Sequence, residues 1–304
     1  MSSDRALRGI FAPVTTPFRD GNVDLDAFAG NLRHYATTPL AGAVVLGSNG
    51  EAPLLDDDES DRLIEMARVV WPEQKWLIAG TGRESTTATI AATRRAAERG
   101  ADAVMVRTPS FYKRSMTGEA FSTFYRAVAD ASPVPVILYN VTIFTGVNLA
   151  TEVAATLSSH PNIIGIKDSG GDVTVIADLV AGCRPGFGVL AGSTSALYAS
   201  LVVGASGATI GPADVAPDAC AALHSAVDAG RHDDARVLQA RLMPIAKLVG
   251  PVYSIPGLKV AVDASGLVGG PPRPPLLSVP PDGVARIREQ VAALLQGIDH
   301  AAIH

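Results

Sequence analysis

This 304-residue sequence is short of several things. It has two cysteines, Cys183 and Cys220. That is too few for a disulfide framework and lacks the paired spacing of a zinc site, so free thiols are expected. Charged residues make up 18% and aromatic residues 5%, against 47% hydrophobic. Such a chain is neither disordered nor a coiled coil. Apolar runs are short as well. Stretches such as Val134–Tyr139 are strand-sized and fall well under the ~20 residues needed to span a bilayer. The first residues, Met1-Ser2-Ser3-Asp4-Arg5, lack the apolar middle of a secretion signal. The balance of 25 basic and 30 acidic residues gives a net charge of −5 and no basic patch for nucleic acid or an anionic membrane. These absences lead to the expectation of a soluble, cytoplasmic protein.

Specific chemistry is missing too. The six histidines are His34, His160, His224, His232, His300 and His304. None ends a strand-like run and no pair has ligand spacing, so no metal is expected. There is no Gly-x-Ser-x-Gly elbow, which disfavours a serine hydrolase. No Gly-rich fingerprint opens the first strand–helix unit, which disfavours a dinucleotide fold. Lysine occurs only at Lys75, Lys113, Lys167, Lys247 and Lys259. A search for a reactive amine is therefore short.

What is present is an alternation. Eight short apolar runs read as strands: Ile10–Thr15, Gly42–Leu46, Trp76–Ala79, Ala103–Val106, Val134–Tyr139, Ile163–Lys167, Gly188–Leu190 and Ala208–Ile210. Most are nearly all apolar, as strands buried on both faces should be. Between them lie helical patterns such as Asp56–Val70, with an acidic first turn, and Ser85–Arg99, with Gly100 as its cap. Gly118–Ala131, Thr151–Ser159 and Val173–Ala181 follow the same plan. Eight βα units in a row predict an α/β fold, a parallel (β/α)8 TIM barrel with right-handed crossovers. A doubly wound sheet is the alternative. Beyond the eighth strand, Ala219–Ala229, Asp233–Val249, Ile255–Ala264 and Pro281–Leu295 read as helices. The expected organisation is a barrel core over 1–212, then the eighth helix and a C-terminal helical extension over 213–304. The stretch from Gly269 to Pro275 reads as a stiff connector.

In such a barrel the active site lies at the C-terminal strand ends. Lys167 directly follows Ile163-Ile164-Gly165-Ile166, so its amine belongs on a rigid strand end. An amine in a poorly solvated pocket stays partly neutral near pH 7 and can attack a ketone. The competing reading is a surface pair with Asp168. Lys75 starts a strand at the wrong end, Lys113 sits in a basic loop, and Lys247 and Lys259 fall in the extension. Tyr139 ends the neighbouring strand, where a phenol can shuttle a proton, or where a core tyrosine makes one hydrogen bond. Gly47-Ser48-Asn49-Gly50-Glu51 is a polar turn whose backbone N–H groups and short side chains suit a carboxylate. It reads equally well as a plain tight turn.

Taken in order, Pro13-Val14-Thr15-Thr16-Pro17-Phe18, Gly47-Ser48-Asn49-Gly50-Glu51, Tyr139-Asn140-Val141 and Gly165-Ile166-Lys167-Asp168 resemble the dihydrodipicolinate synthase / N-acetylneuraminate lyase family of class I pyruvate lyases. The likeness runs from about Arg8 to Leu295. Within the family it is most similar to 4-hydroxy-2-oxoglutarate aldolase, on Asn49, on Lys167-Asp168-Ser169-Gly170-Gly171-Asp172-Val173-Thr174 and on Ile255-Pro256-Gly257-Leu258-Lys259. The resemblance implies Lys167 as the Schiff-base lysine and Tyr139 as the proton-relaying acid/base. It implies Ser48, Asn49 and the Gly50 amide around the pyruvyl carboxylate. Ser169, Gly192 and Ser193 would line the rest of the pocket. It implies no cofactor, a 2-oxo acid as partner, and a homo-oligomer, either tetramer or dimer.

Two departures bear on substrate. Phe144 stands where the synthases carry an arginine for a second carboxylate, and an aromatic ring cannot replace a bidentate guanidinium. After Thr108-Pro109 the usual tyrosine pair reads Phe111-Tyr112, so the relay between subunits falls to Tyr112 or a water. The expected reaction is cleavage of a 4-hydroxy-2-oxo acid to pyruvate and an aldehyde. The alternatives are a dehydratase or aldolase of a 2-keto-3-deoxy sugar acid, a dihydrodipicolinate synthase-like enzyme, or an inactive metabolite-binding homologue.

Overall fold

The computed structural model describes residues 5–296. Met1–Asp4, His300 and His304, which figured in the leader and metal readings, lie outside the described residues. Ten strands form: β1 (Gly9–Ala12), β2 (Phe18–Arg19), β3 (Asn22–Val23), β4 (Gly42–Val45), β5 (Trp76–Gly80), β6 (Ala103–Arg107), β7 (Val136–Asn140), β8 (Ile163–Asp168), β9 (Gly188–Ala191) and β10 (Gly207–Thr209). Eight of them close into a barrel in the order β1-β10-β9-β8-β7-β6-β5-β4, with β2 and β3 as a separate hairpin. The pairings are parallel. This is the expected (β/α)8 barrel. The burial of its short, β-branched strands explains their uninterrupted apolar character.

The helices are α1 (Leu25–Ala36), α2 (Asp57–Val70), α3 (Thr86–Glu98), α4 (Gly118–Ala131), α5 (Thr142–Thr145), α6 (Thr151–Ser158), α7 (Val173–Gly182), α8 (Leu197–Val202), α9 (Pro217–Asp228), α10 (His232–Lys247), α11 (Ser254–Ala264) and α12 (Pro281–Leu295). Their starts follow local chemistry. Asp56 accepts from the Glu59 amide while Glu59 reaches back to the Asp56 amide, a capping box that starts α2. Thr117 caps α4 through the Ala120 amide. The hairpin, α1, α5 and α8 were not among the expected elements; the hairpin, α5 and α8 are short, whereas α1 buries Phe28, Leu32 and Tyr35 at helical spacing, a signal the sequence does carry. Strand β1 stops at Ala12 rather than Thr15, because Pro13 has no N–H to donate to the ladder. Helix α10 ends at Lys247 rather than Val249 and passes into a π-helical turn over Leu248–Val252 that contains Pro251.

The contacts divide the chain into two compact units. One comprises Ile78–Thr209 with the segment up to Gly9, and the other Ile10–Leu77 with the chain from Ile210 onward. The first carries β6–β10 and α3–α8. The second carries the hairpin, β4, α1, α2 and α9–α12. In the second unit α10, α11 and α12 pack on one another and form the C-terminal helical extension. Among the described residues no helix is long and apolar enough to cross a membrane.

In the first unit, β8 and β9 approach so closely that glycine is required. A Cβ on Gly165 would sit 2.6 Å from the Gly188 carbonyl oxygen and 2.5 Å from Leu7 Cδ2. Overpacking of this kind costs about 1–3 kcal/mol. Gly165→Ala is therefore expected to lower the unfolding free energy by that amount, measurable as a reduced denaturant midpoint with an unchanged m-value.

Candidate active site

In the first unit, β7 and β8 are out of simple register. Val136 pairs with Ile163, but Ile137 pairs with Gly165, so Ile164 is an extra residue on β8. The bulge advances the pairing by one, and Tyr139 stands opposite Lys167 and Asn140 opposite Asp168. Without it, Tyr139 would face Ile166. A one-residue slip reverses which face each side chain takes, so the bulge decides that the phenol and the amine share one face. Lys167 is 7% exposed. Its Nζ lies 4.5 Å from the centroid of the Tyr139 ring, which is cation–π range.

The surface pair with Asp168 does not form. Asp168 is buried and its carboxylate is taken by other donors: Asn140 Nδ2 donates to Oδ2 at 2.7 Å and the Gly170 amide to Oδ1 at 2.9 Å. Asn140 also donates to Asn148 Oδ1 and accepts from the Leu149 amide. The Ser169 amide donates to the Asn140 carbonyl and the Gly192 amide to the Asp168 carbonyl. The loop after β8 is thus fixed from three sides, and the amine beside it is left facing a ring.

Ser169 and Gly192 belong to the same cluster. A Cβ on Gly192 would overlap Ser169 Oγ and approach Lys167 Cε at 3.0 Å. Ser193 lies against Gly171, whose φ is +79°, and shares a 3.0 Å hydrogen bond with Ser195. Tyr112 and Phe144, the two more distant candidates, are both turned out on this chain, 73% and 54% exposed. Phe111 stacks edge-on against Tyr112 with centroids 5.1 Å apart. Arg107 ends β6 but is not free for a substrate. Its Nη1 donates to Glu84 at 2.8 Å, and the other Glu84 oxygen accepts from the Ser110 and Phe111 amides. Partial burial raises the Glu84 pKa, but the amide bonds and the guanidinium outweigh it and hold the carboxyl below its usual range.

In the second unit, the turn after β4 carries the other candidates. Leu46 and Glu51 flank it at φ +57° and +56°, a left-handed conformation that costs a side-chain-bearing residue about 1–2 kcal/mol. Inside the turn the Gly50 amide donates to the Gly47 carbonyl, the Glu51 amide to the Ser48 carbonyl and the Ala52 amide to the Gly47 carbonyl. The Gly50 amide is thus engaged within the turn. Asn49 makes no hydrogen bond among the described residues, so its amide and carboxamide remain the donors for an anion.

Sequence reasoning missed what lies behind this turn. Lys259 is fully buried and forms a 2.7 Å ion pair with the equally buried Glu51. Burial pulls the Lys259 pKa below the usual lysine value, and the hydrogen bond to Glu51 opposes that. The one available signal was its place in α11, where its neighbours Leu258, Ala261 and Val262 are also buried. Lys75, by contrast, donates to the Ala36 and Thr38 carbonyls, a structural role. Among the described residues no group of three or more His, Cys, Asp or Glu side chains comes together as a metal site.

The chain is similar to known proteins along nearly its whole length. The family model for the dihydrodipicolinate synthetase family matches residues 6–296. A 4-hydroxy-tetrahydrodipicolinate synthase of Exiguobacterium sp. is 36% identical over 281 residues, covering 92% of this chain and 95% of that protein. Among solved structures, the dihydrodipicolinate synthase of Thermotoga maritima superposes with a TM-score of 0.91 at 26% identity, covering 95% of this chain and 99% of that one. The chloride-inhibited dihydrodipicolinate synthase of Acinetobacter baumannii, solved with pyruvate, gives 0.89 at 29% identity, with 94% and 98% covered.

The glycine at 192 can be tested directly. Gly192→Ala pushes a methyl into Ser169 and the Lys167 side chain. A displacement of the reacting group by about 1 Å is enough to cost roughly 100-fold. The variant is expected to fold, with any turnover that uses the Lys167 amine reduced by about that factor in steady-state assays.

Proposed function

The chain belongs to the dihydrodipicolinate synthetase family of metal-independent lysine Schiff-base lyases, and on that premise we propose that it cleaves a 4-hydroxy-2-oxo acid, such as 4-hydroxy-2-oxoglutarate, to pyruvate and an aldehyde. The observation that carries this reading is Lys167 buried at a strand end, opposite Tyr139, with its amine 4.5 Å from that ring. The Lys167 amine attacks the 2-oxo carbon, and loss of water gives an iminium. Tyr139, its own proton already passed to the departing water, accepts the proton of the C4 hydroxyl. The C3–C4 bond breaks, its electron pair moves into the iminium as an enamine, and the aldehyde leaves. The enamine takes a proton at C3, and hydrolysis releases pyruvate and the free lysine. Ser48 and Asn49 take the carboxylate of the same substrate, and Ser169, Gly192 and Ser193 bound the remainder of the chain. Pyruvate bound to the Acinetobacter baumannii protein supports the choice of the three-carbon half.

A second reading has support in the relatives, which carry the name of the synthase. Against it stand Phe144 in the arginine's place, turned out, and Arg107 already bound by Glu84. Neither offers a guanidinium to a second carboxylate. We also propose a homo-oligomer. The exposed Phe111 and Tyr112 on the loop after β6 and Ile143 and Phe144 on α5, with Lys113 Nζ against Gly146, offer apolar surface suited to a second copy.

Trapping tests the chemistry. Incubation with pyruvate and then borohydride is expected to leave a reduced pyruvyl adduct on Lys167, located by peptide mass and absent in Lys167→Ala. A folded protein with no adduct overturns the reading. Tyr139→Phe is expected to keep the adduct and lower cleavage by about 100–10,000-fold, the usual worth of a general base.

A further inference from the structure

Behind the polar turn lies a buried ionic cluster that the proposed reaction does not use. Glu51 ends the turn and its two carboxylate oxygens have different partners. Oε1 accepts from Lys259 Nζ at 2.7 Å, and Oε2 accepts from the Arg273 backbone amide at 2.8 Å. Lys259 Nζ also donates to the Thr16 carbonyl at 2.7 Å, and Thr16 Oγ1 donates to the Gly50 carbonyl at 2.7 Å. Two cations lie against Phe18, with Lys259 Nζ 4.4 Å and Arg273 Cζ 4.3 Å from its ring centroid. The Arg273 side chain is itself tied down, bidentate to Glu59 and bonded to the Leu54 and Gly21 carbonyls. Thus α11 and the segment 269–275, both from the C-terminal extension, hold the turn through one residue.

That residue sits in the left-handed region, a conformation that persists only where the surroundings over-determine it. Released from Lys259, the Glu51 side chain keeps the Arg273 amide as its one partner among the described residues; the constraint on its backbone weakens, and the turn's donors at Asn49 shift with it. A buried ion pair adds little net stability compared with apolar residues of the same volume. What it supplies at this place is a fixed geometry.

We propose that Lys259 is a positioning residue: through Glu51 and Thr16 it fixes the turn that binds the substrate carboxylate, so the C-terminal extension sets the enzyme's preference for a carboxylate-bearing ketone. The inference rests on the Schiff-base reading of Lys167 and on the turn as carboxylate site.

The test compares borohydride trapping of pyruvate with trapping of pyruvamide, which differs only in lacking the negative charge. The native protein is expected to trap pyruvate with a strong preference. Lys259→Met leaves Glu51 buried without its cation, so Glu51→Gln/Lys259→Met, which removes both charges, is made beside it. Thr16→Val deletes only the hydroxyl bond to the Gly50 carbonyl and decides the matter if the charge variants do not fold. In each folded variant the preference for pyruvate is expected to fall, at least tenfold for the charge variants and severalfold for Thr16→Val, while trapping of pyruvamide holds. Lys259→Arg is expected to restore part of it. An unchanged preference, or equal loss with both probes, assigns the pair a structural role alone and overturns the proposal. A native protein that traps neither probe fails instead at the Lys167 reading.

Discussion

Parallel pairing of β7 with β8, offset by the single extra residue Ile164, is the constraint on which the geometry of the candidate site depends. Strand ends in a parallel barrel are fixed on both sides by ladder hydrogen bonds, so a side chain there has little freedom of backbone. The offset brings Tyr139 and Lys167 onto one rung and Asn140 and Asp168 onto the next. The lower rung brings the phenol ring to the amine. The upper rung locks the loop that follows, through the 2.7 Å bond from Asn140 to Asp168. An acid next to the lysine is thereby occupied by neutral donors, and no salt bridge joins Lys167 to a carboxylate among the described residues.

The two buried lysines of the chain illustrate opposite solutions to one problem. Taking an ammonium out of water is costly unless a partner compensates. Lys259 meets a carboxylate, a carbonyl and an aromatic face, which offset the cost of its burial. Lys167 meets a ring face and the edge of a glycine loop. The first arrangement spends every donor of the amine on structure. The second leaves the amine able to react. A similar contrast separates two arginines. Arg107, at a strand end where it could face a substrate, is held by Glu84, and Arg273, far along the chain, is held by Glu59. Each pair shapes a loop: Glu84 gathers the amides of Ser110 and Phe111, and the Arg273 amide reaches Glu51.

The barrel and the placement of Lys167 and Tyr139 at strand ends were legible because their signals are local. Buried parallel strands are apolar along their whole length, so a lysine or tyrosine at the end of such a run stands out, and the structure sets Lys167 and Tyr139 opposite each other. What stayed hidden depends on pairs distant in sequence. The bulge at Ile164 leaves no mark in a run of four apolar residues. Lys259 lies 208 positions from Glu51, and in the chain it looks like one more charge on a helix of the extension. The commitment of Arg107 to Glu84 and of the Gly50 amide to Gly47 likewise appears only in three dimensions. Both change which groups can meet a substrate.

The strained turn explains why an extension after the eighth strand is more than a cap. A turn flanked by Leu46 and Glu51, both at positive φ, is locally unfavourable, and its internal bonds run only among residues 47–52. Those bonds fix the loop's shape but not its stance on the barrel. The stance comes from outside: Thr16 after β1 and Lys259 and Arg273 from the extension. Glycine at position 51 would relieve the strain and also remove the carboxylate to which two of these anchors attach. A side chain in a conformation that favours glycine is therefore the signature of a position whose side chain matters more than its backbone comfort, and in this turn that side chain faces inward to an ion pair rather than outward to a ligand.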